Sequence, residues 1–316
     1  MAMEAITKFR KASIIPVSHV SWEIELDRPF QIDTSLTFEN TAGLLKPEMF
    51  DLWRDMVSKR ERDDLASVRF ALVHRFESTD YVGREEVLSD DYAYKVFLCL
   101  RIIKPTKSVF QRIQVRSFDN EKLEVTGFQH PGVWPNVPDS ESINDIDLDD
   151  IGRLKALLPA FLTLALNGPE NIRRAVRHFN VGYTELQDPT TQIVLWMTGI
   201  EALFNSGNIR LSRGGLRDRI NESIGLETDI YDSSPMQEYV GGKSFKVGDL
   251  FSDLVTLRNR LVHGQWIPPE WKQREGRKGL ISEIPYADVL RETASFILRK
   301  GILKHLEDES GIDSGR

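Results

Sequence analysis

The pattern of hydrophobic and polar positions changes character near residue 144. Before residue 130, hydrophobic and polar residues alternate in short runs rich in β-branched and aromatic side chains, which is typical of strands with one buried face. These runs predict strands at 12–17, 20–26, 67–76, 92–103, 110–118 and 121–128. One helix is predicted at 47–62, where Pro47 suits the first helical turn. The pattern therefore indicates a β-rich N-terminal part.

A loop rich in proline follows this part of the chain. The segment 129–142, QHPGVWPNVPDSES, combines proline with glycine, asparagine and serine, which is typical of a turn or an interdomain linker. Beyond it, hydrophobic residues recur every three or four positions, as they do on one face of a helix. This spacing predicts helices at 145–167, 169–186, 190–207, 212–226, 247–264 and 286–306.

Together the two patterns predict an α+β protein with two domains. Residues 1–140 would form a β-rich domain with a sensor or regulatory role, and residues 141–316 an all-α bundle. The predicted helix at 190–207 is apolar on nearly all sides, so we expect it at the centre of the bundle.

The composition is that of an ordinary globular protein. Of the 316 residues, 41% are hydrophobic and 28% are charged. Cys99 is the single cysteine, which favours a reducing compartment, and the first residues lack the apolar run of a signal peptide. No segment has the roughly 18 apolar residues that cross a membrane. We therefore expect a cytoplasmic protein that does not associate with membranes.

Charge is unevenly distributed along the chain, although the net charge is −7. The stretch 95–118 contains no acidic residue. Its basic residues are Lys95, Arg101, Lys104, Lys107, Arg112 and Arg116. If this stretch forms strands, its cations either bind RNA or another phosphate-rich trigger of the N-terminal domain, or line the solvated side of a sheet.

The segment 257–264, LRNRLVHG, combines an apolar helical pattern with several polar and titratable side chains. An apolar stripe precedes and includes it, formed by Leu250, Leu254, Leu257 and Leu261. Gly264 suits the left-handed position just beyond a helix end. Arg258 and His263 are about 140° apart around the helix, whereas Asn259 lies on the same side as His263. This helix alone therefore supplies only part of a site, unless its last turn unwinds or the arginine reaches around it.

These residues resemble a known family. Residues 258–263, RNRLVH, match the R-[N/D/H]-x3-H form of the R-x4–6-H motif of HEPN domains. WMTGIEALFNS, upstream, resembles the LEALF helix of the Apea-like HEPN branch, and IRLSRGGLRDRI is similar to its basic second segment. The resemblance covers about residues 145–305. It implies a HEPN-type helical bundle that dimerises and acts as a metal-independent endoribonuclease without a cofactor, on tRNA or mRNA, in a toxin or antiphage defence role.

The resemblance also implies residue roles. Arg258 would hold the scissile phosphate, His263 would act as general acid or base, and Asn259 would orient the imidazole or bind the phosphate. Arg260 would contact RNA beside the cut. The RNA supplies the nucleophile, its 2′-hydroxyl, so the products would be a 2′,3′-cyclic phosphate and a 5′-hydroxyl.

Two further sets of residues are candidates from their own chemistry. Glu201 lies in an apolar helix, where a carboxylate requires a partner. It either pairs with Arg258 or Arg260, or meets water at the helix rim. A basic stretch comprises Arg210, Arg213, Arg217 and Arg219. Its members, Arg213 and Arg217 above all, either contact RNA phosphates or form a solvated face.

Other functions remain open at this point. Arginine and histidine near a helix C-terminus also serve simply to satisfy carbonyl groups and the helix dipole. A second hypothesis is a non-catalytic HEPN module that binds RNA or a protein partner. A third is a helical transferase or hydrolase helper that uses Glu201 and His263 with a metal, although no ligand spacing supports it.

Overall fold

A computed structural model gives the fold of this chain. It describes residues 9–17, 20–21, 23–41, 50, 55–78, 84–105, 112–117, 123–129, 145–184, 189–205, 211–231, 244–265 and 286–312. These residues belong to two compact units, of which the first contains the strands and the second most of the helices. The chain is therefore an α+β protein.

The first unit is built on a six-stranded antiparallel sheet of order β2-β3-β4-β1-β5-β6. Its strands are β1 Phe9–Val17, β2 Phe30–Gln31, β3 Leu36–Asn40, β4 Phe70–Ser78, β5 Arg112–Ser117 and β6 Leu123–Gln129. Strands β1, β4, β5 and β6 confirm four of the predicted strands. Strands β2 and β3 were not predicted, because only seven residues form them and polar residues interrupt the pattern.

Both faces of the sheet are packed. On one face Ile14 of β1 lies between Val73 of β4 and Ile113 of β5, and all three are fully buried. Helix α1, Lys59–Ser67, adds Leu65 to this cluster. On the other face the ring of His74 lies 4.7 Å from the ring of Tyr92, which belongs to helix α2, Arg84–Ile103.

The prediction of a strand at 92–103 is wrong, because this segment is the second half of α2. The run YAYKVFLCLRII is buried almost all round, and a short continuous apolar run does not distinguish a buried strand from a buried helix. Arg101 is only 3% exposed and lies 4.5 Å from the ring of Phe97. Arg101, which the strand interpretation placed among the basic positions of a sheet, is thus buried beside an aromatic ring.

Two other predictions for the first unit also need correction. Apart from one bridge between Val20 and Ile146, the described residues of 20–26 form turns and loops instead of a strand. Of the helix predicted at 47–62, the described part 55–62 is α-helical only from Lys59, where Ser58 and Glu61 form a reciprocal capping box that fixes the start of α1. Residues 47–49 and 51–54 lie outside the described residues.

The second unit confirms all six predicted helices. They are α3 Leu148–Asn167, α4 Glu170–Thr184, α5 Pro189–Phe204, α6 Arg213–Ser223, α7 Val247–Val262 and α8 Tyr286–Ser310. The first turns of α3 belong to the first unit and the remainder to the second. No helix in the described ranges is sufficiently long and apolar to cross a bilayer.

Helix α5 packs between α4 and α8, as its apolar surface predicts. Trp196 is fully buried and donates from Nε1 to the carbonyl of Phe179 on α4 over 3.3 Å. Glycines permit this close approach, since a Cβ at Gly182 would lie 2.2 Å from that Nε1. A Cβ at Gly301 of α8 would lie 2.7 Å from Leu203. The tight packing fixes the helix that carries Glu201.

Candidate functional site

Helix α7 is anchored by an apolar stripe. Leu250, Phe251, Leu254 and Leu257 are buried, each at 4% exposure or less. Leu261, the last leucine of the predicted stripe, is only half-buried. The final turn therefore rises out of the packed interior, and this is the turn that carries Asn259, Arg260 and His263.

The end of α7 is a regular helix terminus. Gly264 has a φ of 63°, and its N–H donates to the carbonyl of Leu261 over 3.2 Å. The N–H of Gln265 donates to the carbonyl of Arg260 over 2.8 Å, which completes a Schellman motif. The predicted left-handed glycine is thus confirmed. The last turn stays wound, and His263 is the residue at the cap, with an exposed side chain.

The Arg258 guanidinium is held by two acceptors. Its Nη2 donates to Glu201 Oε2 on α5 over 3.0 Å, and its Nη1 donates to Asn259 Oδ1 over 3.0 Å. The side chains of Arg258 and Glu201 are 15% and 26% exposed. The predicted pairing of Glu201 with the α7 helix is confirmed, and Arg258 is the partner. A partly buried ion pair of this kind is costly to break on one side only.

The side-chain oxygen of Asn259 accepts from Arg258 and so orients the guanidinium, a contact that the sequence did not predict. The Nε of Arg258 is buried and has no acceptor among the described residues. A phosphate that approaches Arg258 therefore meets its Nη nitrogens, beside the two acceptors that fix them.

The exposed side of α7 is a different surface from the one that carries Arg258. Ser252, Asn259 and His263 are all exposed and lie within about 40° of one another around the helix. Arg258 lies about 140° from His263. Arg260 is half-buried and lies about 60° from His263. One copy of α7 therefore presents the imidazole outward and the guanidinium toward α5.

The two predicted RNA-binding arginines, Arg213 and Arg217, lie along the first half of α7. The Nη2 of Arg213 donates to the carbonyl of Ser252 over 2.9 Å and also to its hydroxyl. The Nη2 of Arg217 lies 3.7 Å from the point that a Cβ of Gly248 would occupy. At 1.5 Å per residue these contacts are about 16 and 22 Å from His263 along the helix axis. The structure therefore does not bring these arginines to the histidine.

Of the other two arginines of that basic stretch, Arg219 is already paired with a carboxylate. Arg219 pairs with Glu222 over 3.1 Å on the surface of α6, and Arg210 lies outside the described residues. An exposed pair of this kind contributes little to stability and offsets the charge of the arginine.

Basic side chains on α4 were not singled out from the sequence. Arg174 and Arg177 are exposed, and His178 beside them is half-buried. Burial lowers the pKa of His178, and the positive charges of Arg174 and Arg177 lower it further. The signal available in the sequence was the run RRAVRH, whose basic positions fall on the polar side of an amphipathic helix.

Part of the basic stretch of the first unit lies on a helix instead of a strand. Lys95, Arg101 and Lys104 lie on or just after α2, and Arg101 is buried. Lys104 pairs with Asp150 over 2.7 Å, so its charge is compensated. Lys107 lies outside the described residues. Both interpretations of these cations assumed strands, and within the described residues only Arg112 and Arg116 lie on one, β5.

The third hypothesis requires a metal site that uses Glu201 and His263. Over the described ranges, no three histidine, cysteine, aspartate or glutamate side chains come together as a metal site requires. The carboxylate of Glu201, which the metal-using hypothesis needs, is bound to Arg258.

No family model, curated protein or solved structure matches this chain.

Proposed function

We propose that the helical unit is a HEPN-type, metal-independent endoribonuclease that cleaves RNA by attack of its own 2′-hydroxyl. The observation that carries the proposal is the Arg258 guanidinium, fixed by Glu201 and Asn259 on the helix whose end exposes His263. The R-x4-H spacing of these residues and the upstream EALF helix support the same assignment.

The chemistry needs only proton transfer and charge stabilisation. His263 takes the proton of the 2′-hydroxyl, the 2′ oxygen forms a bond to phosphorus, and the bond from phosphorus to the 5′ oxygen breaks. Protonated imidazole supplies the proton that the departing 5′ oxygen takes up. The Arg258 guanidinium stabilises the negative charge that gathers on the phosphate oxygens.

A second copy of the chain completes this site in our proposal. Within one α7 helix Arg258 and His263 point to different sides, so the histidine facing a bound phosphate comes from the partner copy. The proposed assembly is a homodimer through the helical unit.

The biological setting follows from the resemblance to Apea-like HEPN domains. The proposed substrates are tRNA or mRNA, and the proposed role is that of a toxin or antiphage defence effector. The first unit would then act as the sensor that controls the nuclease, through a trigger that its own side chains recognise.

Purified protein incubated with tRNA and mRNA in EDTA tests the proposal. The wild type should cleave, whereas Arg258→Ala and His263→Ala should not, and Arg219→Gln serves as a matched control because Glu222 already offsets its charge. Cleavage that EDTA abolishes, or that both variants retain, would contradict the proposal.

One observation favours a second candidate, a non-catalytic module that binds RNA. Glu201 compensates the charge of Arg258, and the guanidinium is largely covered, which weakens its attraction for phosphate. Under this candidate the wild type binds RNA but releases no product, and His263→Ala binds as tightly as the wild type. Cleavage in EDTA by the wild type excludes it.

A further inference from the structure

The exposed side of α4 is strongly basic. Arg173, Arg174 and Arg177 are all exposed, whereas Val176 and Phe179 are buried on the opposite side of the same helix. Arg174 and Arg177 are three residues apart and therefore neighbours on the helix surface. Their guanidinium groups project into solvent from one patch.

The charges of this patch are unequally compensated. Glu170 pairs with Arg173 over 2.5 Å. Neither Arg174 nor Arg177 has a carboxylate partner within the described part of the chain. Both guanidinium groups disfavour protonation of the neighbouring His178 and so lower its pKa, although burial of the ring is the larger cause. Two uncompensated cations thus create a positive potential on a protein whose net charge is −7.

This patch is separate from the site on α7. A Cβ at Gly199 of α5 would lie 3.1 Å from the Cβ of His178, so α4 packs on this side of α5. Glu201, two residues later, points away at about 200° around the same helix and holds Arg258. Helix α5, with a diameter of about 10–12 Å, therefore stands between the α4 arginines and Arg258.

We infer that Arg174 and Arg177 form a second RNA contact, which binds backbone phosphates of an RNA large enough to extend around α5. This inference rests on the proposed function and names the kind of substrate: a folded or long RNA instead of a short oligonucleotide. Guanidinium groups bind phosphate oxygens bidentately. Two exposed guanidinium groups side by side can contact neighbouring phosphates of one RNA backbone. The contact carries no sequence information and adds affinity alone.

The salt dependence of binding measures this contact. The affinity of the chain for tRNA and for a short single-stranded oligonucleotide is recorded over a range of salt concentrations, for the wild type and for Arg174→Gln/Arg177→Gln. Each lost phosphate contact reduces the magnitude of the negative slope of log K against log salt by about 0.7–0.9. The slope for tRNA should therefore be shallower by about 1.4–1.8 in the double variant. Cleavage of the short oligonucleotide, which does not extend around α5, should not change.

Matched variants keep the result specific. Arg173→Gln removes a neighbouring arginine whose charge Glu170 already offsets, so its slope should stay close to that of the wild type. Arg174→Lys/Arg177→Lys keeps both charges and should restore most of the slope, because counterion release depends on charge. Since both side chains are exposed, the far-ultraviolet circular dichroism of every variant should equal that of the wild type.

Several results would overturn the inference. An unchanged tRNA slope in the double variant would do so, as would a loss equal to that of Arg173→Gln, or no tRNA binding by the wild type. If the double variant loses affinity for polyglutamate and keeps its affinity for tRNA, the surface serves an acidic protein. Failure of the proposed nuclease is distinguishable, because cleavage would then be absent while the predicted change in slope persists.

Discussion

Arg258 and the α4 arginines present the same chemical group in opposite settings. Arg258 is 15% exposed and bound by Glu201 and Asn259, whereas Arg174 and Arg177 are exposed and lack carboxylate partners among the described residues. A restrained guanidinium places its charge at one point, as catalysis requires. An exposed guanidinium binds any phosphate that comes close, so it adds affinity for RNA but does not orient the reacting phosphate. The setting of each arginine, more than its identity, therefore separates a candidate catalytic group from a candidate binding group.

The largest effect should come from the restrained arginine and its histidine. Loss of proton transfer in His263→Ala should lower the cleavage rate by about 10²–10⁴-fold, the usual contribution of general acid–base catalysis. Arg258→Lys should be as inactive as Arg258→Ala, because an ammonium group lacks the planar guanidinium that contacts Glu201 and Asn259 together. Single-turnover cleavage rates check both variants. A fully active Arg258→Lys would show that the fixed orientation is irrelevant.

The close contact between α4, which carries the exposed arginines, and α5, which carries Glu201, should make the chain sensitive to an added methyl group at Gly182. Gly182→Ala places a Cβ 2.2 Å from Nε1 of Trp196, so it should lower the free energy of unfolding by about 1–3 kcal/mol through overpacking. Urea titration measures the loss. Gly152→Ala is the control, since nothing lies within 4 Å of the added methyl group, and it should not destabilise the protein. Equal stability of the two variants would contradict the observed helix contact.

Glu201→Gln should show that the two arginine settings differ in energy as well as in geometry. The variant removes a charge from a pair whose side chains are both less than one-third exposed, and it should lower the free energy of unfolding by about 1–2 kcal/mol. Glu170→Gln breaks the exposed pair with Arg173 and should cost at most about 1 kcal/mol. A larger loss at Glu170 than at Glu201 would reverse the ranking of the two pairs.

The smallest effect is the titration of His178. In Arg174→Gln/Arg177→Gln its pKa should rise but remain below the ordinary value of 6.5, because burial is the larger cause of its depression. A depressed folded-state pKa means that the unfolded chain binds more protons, so His178 should destabilise the fold as the pH falls from about 6.5. Proton NMR of the imidazole measures the pKa. An unchanged value would place the two guanidinium groups far from the ring.

The sequence predicted the helices well and the strands unevenly, for physical reasons. Helix ends such as Gly264 depend on local residues, and the stripe of α7 repeats with the helical period, so both are visible without a structure. The run at 92–103 is buried on nearly all sides, and periodicity then no longer separates a strand from a helix. Its position on the sheet depends on long-range packing with β1 and β4.

The candidate site shows the same division between local and long-range information. Glu201 was predicted to pair because a carboxylate in an apolar helix needs a partner, and this requirement holds in any fold. The choice of Arg258 over Arg260 depends on which side of α7 faces α5. On α4, Glu170 has Arg173 three residues away and Arg174 four residues away. Both spacings permit an ion pair, and only the structure shows that Glu170 pairs with Arg173.

Chemical analysis of the ends of cleaved RNA tests the central claim most directly. Wild-type protein is incubated with RNA in EDTA beside His263→Ala, and the products are examined by mass spectrometry. We predict 2′,3′-cyclic phosphate and 5′-hydroxyl ends with the wild type, no product with the variant, and no cleavage at a position whose 2′-hydroxyl is replaced by hydrogen. Products with 5′-phosphate ends, or cleavage at that 2′-deoxy position, would contradict the account.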